Sequence, residues 1–208
     1  MYIPSKFKVT DNAVIERFIA DNGFATLISK GEVFPAATHI PIQLQVNAAG
    51  EKVLWGHLSR GNPQWKLFTT QPEVLVIFMA DLSRYISSSW YNFPEAPTWN
   101  YMSVHVSGKI KIVEEDVAWE SISRLTDTYE KGMACPVSMD TLPESVTRQV
   151  KGVVAFEIEI VTVEAAFKMS QTRDDANFAL VLEQLRKSGD PGSVMFADMM
   201  EQIRENNL

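Results

Sequence analysis

The chain has 208 residues, a formal net charge of −7 and a pI near 5.0. No block of Lys or Arg occurs, which disfavours a surface that neutralises several phosphates of duplex DNA without deciding the matter. Hydrophobic residues make up 46% of the chain and charged residues 22%. This composition is typical of a folded globular protein with a sizeable core, and it excludes a disordered chain.

The chain contains one cysteine, Cys135. A single cysteine cannot form an intrachain disulfide or a thiolate metal cluster, so we expect a reducing compartment. The N-terminus lacks the apolar core of a signal peptide, and no apolar run approaches the roughly 20 residues that cross a bilayer. These features predict a cytoplasmic location and no membrane segment. They assign no role to Cys135 or to the 132–142 loop.

The first part of the chain predicts one helix followed by antiparallel strands. Asp11 can cap a helix that ends near Gly23. Extended segments follow at 24–29, 33–44 and 52–59, and the turn residues between them favour a meander.

The middle of the chain predicts a short helix between two strands. Asn62 is a good N-cap and Pro63 suits the first helical position, so we expect about two helical turns. Residues 73–80 are continuously apolar, which is typical of a strand buried on both faces. Segment 83–100 is polar, aromatic and interrupted by prolines, and it predicts irregular structure. Residues 100–113 alternate between apolar and polar and predict a second strand.

The last part of the chain predicts one more long strand between helices. Helical spacing runs from 114 to about 131, and helices are also expected at 174–187 and 193–204. The strand at 152–170 should carry Glu157 on its outer face. The sum is an α+β fold with six or seven mostly antiparallel strands and a helical C-terminal tail.

Three polar residues mark the turn from the third strand into the short helix. His57 and Ser59 lie two residues apart on a strand and share one face, and Arg60 follows where the chain turns. A guanidinium, a hydroxyl and the free N–H groups of a helix start all suit phosphate oxygens. The same residues would also suit a capped turn with a solvated arginine, and their spacing leaves both interpretations open.

Three further segments combine polar and aromatic side chains. "YISSSWY" offers hydroxyls and rings for a ribityl or phosphate group and a planar ring, or for a serine-rich turn packed on the core. "PTWNY" places an amide between rings, and "KMSQTR" ends the last strand with more donors. The candidate binding residues in these segments are Tyr85, Ser87, Trp90, Asn100, Lys168 and Gln171.

The three histidines, His39, His57 and His105, show no metal-ligand spacing, so no metal site is predicted. Gly-x-Gly-x-x-Gly, Walker and Gly-x-Ser-x-Gly motifs are also missing from the sequence. Dinucleotide-fold, nucleotide triphosphatase and hydrolase functions therefore lose support.

Eight segments taken together resemble one family. They are "MYIPSKF", "THIPIQL", "GHLSRGNPQW", "YISSSWY", "PTWNYMSVHVSG", "LTDTYE", "GVVAFEIEI" and "FKMSQTR". They occur in the order found in the PaiB-like FMN-binding transcriptional regulators, and they extend from residue 1 to beyond 173. Ordered motifs of this length are highly specific.

The resemblance implies a split antiparallel β-barrel of the FMN-binding type found in flavin reductases and pyridoxamine-phosphate oxidases, with peripheral helices and a helical C-terminal tail. It implies one domain over 1–208 with a helical extension from about 174, and a homodimer with FMN between the subunits. Ser59 and Arg60 would bind the FMN phosphate, with Tyr85 and Ser87 nearby.

This sequence departs from the family pattern at a few positions. Thr172 stands where the family usually has Asn, Gly61 where it has Ala, and Ser88 where many relatives have Pro. The loop around "MACPVS" also differs from the aromatic pattern of the family, so its role is not carried over.

The resemblance favours a negative transcriptional regulator that binds FMN and acts without a recognisable DNA-binding motif. One alternative is an FMN-dependent oxidoreductase, in which FMN would carry the redox chemistry and His105 could donate a proton. A second alternative is a haem-binding split barrel with His39 or His57 as the axial ligand. The sequence alone does not identify a catalytic residue.

Overall fold

The computed structural model describes residues 1–206, and these form eight strands and five α-helices. The strands are β1 (Lys8–Val9), β2 (Phe24–Ser29), β3 (Ala36–Val46), β4 (Lys52–Ser59), β5 (Glu73–Met79), β6 (Arg84–Ile86), β7 (Thr98–Ile112) and β8 (Val153–Lys168). The helices are α1 (Asn12–Asp21), α2 (Glu115–Glu130), α3 (Glu144–Thr147), α4 (Asp175–Lys187) and α5 (Pro191–Glu205).

The strands form a closed antiparallel barrel. In the sheet, the order is β8-β4-β3-β2-β5-β7, and the additional pairing of β7 with β8 closes these six strands into a ring. β1 pairs with β8 outside the ring, and β6 pairs with β7. The predicted α+β fold with a split antiparallel barrel is therefore confirmed.

The register between β4 and β8 fixes the position of the first candidate residues. His57 lies opposite Ala155 and Ser59 lies opposite Val153, at the end of the paired segment. Arg60 therefore leaves the barrel beside the first residues of β8.

The chain divides into two compact units. Unit 1 comprises Met1–Ile15, Met79–Val104 and the chain from Glu164 onward, and unit 2 comprises Glu16–Phe78 and His105–Val163. Each unit has its own buried apolar residues, and the predicted single domain over 1–208 stays a prediction. Fully buried residues of unit 2 include Leu27, Ile42, Leu54, Phe68, Phe156 and Ile158, and those of unit 1 include Ile86, Phe167, Met169, Val181, Phe196 and Met200.

In unit 1, the two C-terminal helices are held by capping carboxylates. Asp174 accepts a hydrogen bond from the Asn177 N–H at the start of α4, at 2.9 Å. Asp190 caps α5, and its carboxylate also receives a hydrogen bond from Arg84 at 2.9 Å. Arg84 contacts Ser193 as well, which ties β6 to the start of α5. No helix within residues 1–206 is long and apolar enough to cross a membrane.

Some local predictions differ from the structure. Segment 83–100 contains β6 and a 3-10 helix at Ser88–Trp90, because Ser87 caps that turn through the Ser89 N–H. The short helix expected after Asn62 is present as a 3-10 helix, Pro63–Leu67. The strand count is eight rather than six or seven, because β1 and β6 span only two and three residues.

Glu157 was predicted on the outer face of β8 but is only 5% exposed. Its carboxylate accepts hydrogen bonds from Trp55 Nε1 at 2.9 Å and Asn47 Nδ2 at 3.4 Å, and it pairs with Lys111 at 2.8 Å. Burial alone would raise its pKa, but the bonds from Lys111, Trp55 and Asn47 outweigh that effect and the pKa is lowered. The buried charge is therefore compensated on several sides.

The approach of β7 to β8 requires glycine at position 108. A Cβ atom on Gly108 would lie 2.2 Å from the Glu159 carbonyl oxygen and 2.6 Å from Ile158 Cγ2. We expect Gly108→Ala to lower the free energy of unfolding by about 1–3 kcal/mol, since the backbone must shift to admit the methyl group. Chemical denaturation measures this loss.

The matched control for that substitution is Gly152→Ala, because a Cβ atom on Gly152 meets nothing within 4 Å. It should leave stability within about 0.5 kcal/mol of the parent chain. Equal stability of the two variants would contradict the close approach at Gly108.

Candidate functional site

Arg60 in unit 2 is held in one orientation by the main chain. Its backbone N–H donates to the Gly152 carbonyl at 2.8 Å. Its guanidinium donates through Nε to the Lys151 carbonyl at 3.2 Å and through Nη2 to the Val153 carbonyl at 3.0 Å. These bonds fix the direction of the planar group.

The residues after Arg60 form a buried polar network. Asn62 caps the 3-10 helix, as predicted, by accepting the Gln64 N–H at 3.0 Å, and its amide donates to Thr38 at 2.9 Å. The Gln64 side chain is buried and donates to Ser29 at 3.0 Å and to two main-chain carbonyls. Ser59 Oγ accepts the Gly61 N–H at 3.3 Å. Asn62 therefore serves the turn, and the short 3-10 helix provides no extended N-terminal anion site.

Arg60 also lines a cavity of about 380 Å³ in unit 2. The rings of Trp65 and Trp119 form part of its wall, together with an apolar surface from the start of β8. Lys151 and Arg148 add positive charge, although Arg148 pairs with Glu144 at 3.2 Å. The cavity thus combines aromatic and apolar walls with a fixed guanidinium, which suits a planar molecule that carries an anionic group.

His57 is half-buried on β4. Within residues 1–206 its Nδ1 atom is buried and has no hydrogen-bond partner. Burial lowers the pKa of the imidazole below its ordinary value of 6.5. The neutral imidazole is therefore favoured.

The other candidate residues lie in unit 1. Tyr85 and Trp99 face each other across β6 and β7, with ring centroids 5.9 Å apart and side chains 47% and 56% exposed. Ser87 caps the 3-10 helix that contains Trp90. The aromatic pair presents a surface for stacking, while the serine has a structural partner.

A second cavity, of about 220 Å³, lies within unit 1. It brings together Asn100 of β7 and Lys168 of β8, both of which were candidates, with Lys6 and Arg173. Asn100 is completely buried, and its Nδ2 donates to Ser170 Oγ at 2.8 Å. Lys168 donates to the Thr98 hydroxyl, and its pKa is lowered by burial and by the positive charges of Lys6 and Arg173.

Gln171, also a candidate, stabilises the turn after β8. Its Oε1 accepts the Met169 N–H at 2.8 Å and its Nε2 donates to the Phe167 carbonyl at 2.6 Å. Ser170 between them has a φ of 56°, in the left-handed region that few residues other than glycine occupy. The Gln171 side chain therefore helps to hold a strained turn that presents Ser170 to Asn100.

The structure groups three candidates, His57, Ser59 and Arg60, in unit 2, and it groups the other six in unit 1. Among those six, Asn100 and Lys168 share a cavity. Lys6 also lines this cavity but was not among the predicted candidates. In the sequence, only its position within the motif "MYIPSKF" marked it. No group of three side chains that could hold a metal ion occurs in the described part of the chain.

Comparison with known proteins places the chain in a family. The sequence model described as "Putative FMN-binding domain" matches residues 1–162. The chain is 38% identical over 202 residues to "Protease synthase and sporulation protein PAI 2" from Bacillus subtilis (strain 168), and the match covers 97% of each chain. The chain belongs to the PaiB-like FMN-binding family. The family predicted from the eight motifs is thus confirmed.

Two solved structures share the fold. The flavocytochrome Anf3 from Azotobacter vinelandii superposes with a TM-score of 0.62 at 15% identity, covering 83% of this chain and 75% of that one. The FAD and heme binding protein from Mycobacterium smegmatis gives 0.60 at 16% identity, covering 77% and 73%. At these identities the likeness shows that members of the PaiB-like family share this barrel with more distant proteins.

The lowered pKa of His57 predicts a pH dependence of stability. The unfolded chain binds a proton at this residue more readily than the folded chain, so stability falls as the pH drops through about 6.5. Above that pH, both states carry a neutral imidazole and the contribution is constant. Between pH 7.5 and 5.5, the melting temperature of the parent chain should fall more steeply than that of His57→Gln. Thermal denaturation of both chains over this pH range measures the difference.

The same substitution at exposed His39 serves as the control, because His57 remains in that variant and the loss at low pH should persist. If His57→Gln lost as much stability as the parent over this pH range, the imidazole would not be the group responsible.

Proposed function

We propose that this chain binds FMN and acts as a negative regulator of transcription, as a homodimer in the cytoplasm. Membership of the PaiB-like FMN-binding family supports the cofactor. The Bacillus subtilis relative, whose name refers to protease synthesis and sporulation, supports the regulatory role. The observation that carries the proposal is the fixed guanidinium of Arg60 in the wall of the 380 Å³ cavity.

Arg60 suits a phosphate because its orientation is set before the ligand arrives. Two of the five guanidinium N–H groups bind main-chain carbonyls, and three remain for a ligand. Ser59 Oγ accepts the Gly61 N–H, which leaves the hydroxyl hydrogen available for donation. We therefore assign the FMN phosphate to Ser59 and Arg60, with His57 on the same face of β4.

The remaining walls of the cavity suit the ring system of the cofactor. Trp65 and Trp119 offer aromatic surface, and Ile112, Val153 and Val154 offer apolar surface to a planar heterocycle. Bound FMN would supply redox chemistry, while the protein would supply orientation and exclude water. Tyr85, Ser87, Trp90, Asn100, Lys168 and Gln171 stay predictions as further cofactor contacts.

We propose that regulation proceeds through a ligand or a protein partner rather than through direct binding to DNA. The chain carries a net charge of −7 and no helix-turn-helix signal. A gel-shift titration should show no tight, salt-sensitive binding to duplex DNA.

The proposed homodimer is tested by light scattering, which should give twice the chain mass of 23.4 kDa.

The test of the phosphate assignment is Arg60→Ala. Loss of a charge-assisted hydrogen bond should weaken FMN binding by about 1.5–3 kcal/mol, or roughly 10- to 150-fold. Riboflavin, which lacks the phosphate, should bind the variant and the parent chain equally. Fluorescence titration of both flavins measures the two affinities.

Lys66→Ala is the control, because Lys66 is an exposed cation on the adjacent 3-10 helix and lies outside the cavity lining. It should leave both affinities unchanged. An Arg60→Ala variant that melts like the parent and binds FMN with parental affinity would refute the assignment of the phosphate to Arg60.

A further inference from the structure

The 220 Å³ cavity of unit 1 has an excess of positive charge. Its lining includes three cationic side chains, Lys6, Lys168 and Arg173, and one carboxylate, Glu95. Glu95 pairs with Arg173. Two positive charges are therefore left over in a chain whose overall charge is negative.

The structure does not neutralise the two lysines. Within residues 1–206, neither Lys6 nor Lys168 forms an ion pair with a carboxylate. Their ammonium groups lie 5.1 Å and 5.8 Å from the centre of the Phe7 ring, which places both beside the same side chain. Burial and the neighbouring charges lower the pKa of Lys168, as expected for a cation that lacks a counter-charge.

A buried acceptor in the same cavity also lacks a partner. Asn100 is completely buried and lines the cavity, and in the described chain its Oδ1 atom receives no hydrogen bond. The Nδ2 atom is already used by Ser170, so the orientation of the amide leaves the oxygen unpaired. A ligand that carries a hydroxyl or a protonated oxygen would satisfy this atom.

We propose that this cavity binds the phosphate group of a small phosphorylated molecule. A phosphate monoester carries close to two negative charges at neutral pH, which matches the excess charge, whereas a carboxylate would leave one positive charge uncompensated. Lys6, Lys168 and Arg173 would contact the phosphate oxygens, and the Asn100 carbonyl would accept a hydrogen bond from the ligand. Because the single phosphate of FMN is assigned above to Ser59 and Arg60, we assign this cavity to a different phosphorylated molecule, and capture of the FMN phosphate here would overturn both assignments.

Isothermal titration of the full chain with inorganic phosphate, in a buffer free of other oxyanions, tests the proposal. The parent chain should show one saturable site, and Lys168→Gln should weaken it at least tenfold because it removes one of the two unpaired positive charges. Lys6→Gln changes an exposed side chain that the fold does not depend on, and it should also weaken the site.

The control is Lys187→Gln, which removes a cation that pairs with Glu183 on α4 and does not line the cavity. Its phosphate affinity should equal that of the parent. Absence of a saturable site in the parent, or parental affinity in folded Lys168→Gln and Lys6→Gln, would overturn the proposal.

Two further titrations identify the source of the phosphate. If FMN displaces inorganic phosphate and Lys168→Gln weakens FMN but not riboflavin, the cavity takes the phosphate of FMN. If inorganic phosphate binds FMN-saturated protein and Lys168→Gln leaves FMN affinity unchanged, the cavity takes a second phosphorylated molecule. Arg60 does not line the unit 1 cavity. The phosphate titration therefore tests this cavity whether or not Arg60 binds the phosphate of FMN.

Discussion

The pairing of β7 with β8 is the contact on which the barrel depends. Without it the six strands would form an open sheet with two exposed edges, which must be covered or shortened to prevent pairing with other chains. Gly108 permits the close approach, because any side chain at this position would meet the Glu159 carbonyl. The same two strands also carry candidate binding side chains, since Asn100 lies near the start of β7 and Lys168 ends β8.

Local sequence signals predicted most of the fold. Asn62 and Pro63 predicted a capped turn, and the alternation along β7 predicted its buried face, because both signals depend on neighbours a few residues away. The burial of Glu157 was not predicted because it depends on Trp55 and Lys111, which come from other strands. The alternation of apolar and acidic residues within β8 carries no information about those partners, so it could not show that Glu157 is buried.

The sequence identified residue types suited to a binding site, but it did not show how those residues are arranged in space. Arg60 was recognisable as an anion donor, but its bonds to Lys151 and Val153 depend on the register of β8. Lys6 reaches the unit 1 cavity from the N-terminal segment, far from Lys168 in sequence. The net charge gave no indication of this cavity, because a total of −7 over the whole chain says nothing about a local excess of cations.

The turn at Ser170 limits which residue types can occupy position 170. The residue at 170 must occupy the left-handed region of backbone space, which excludes β-branched side chains, and it must also offer an acceptor to the Asn100 amide. Glycine meets the first requirement but not the second, and aspartate meets both but adds a negative charge beside Lys168. Asparagine meets both requirements without adding a charge, so few substitutions at this position preserve both the turn and the hydrogen bond.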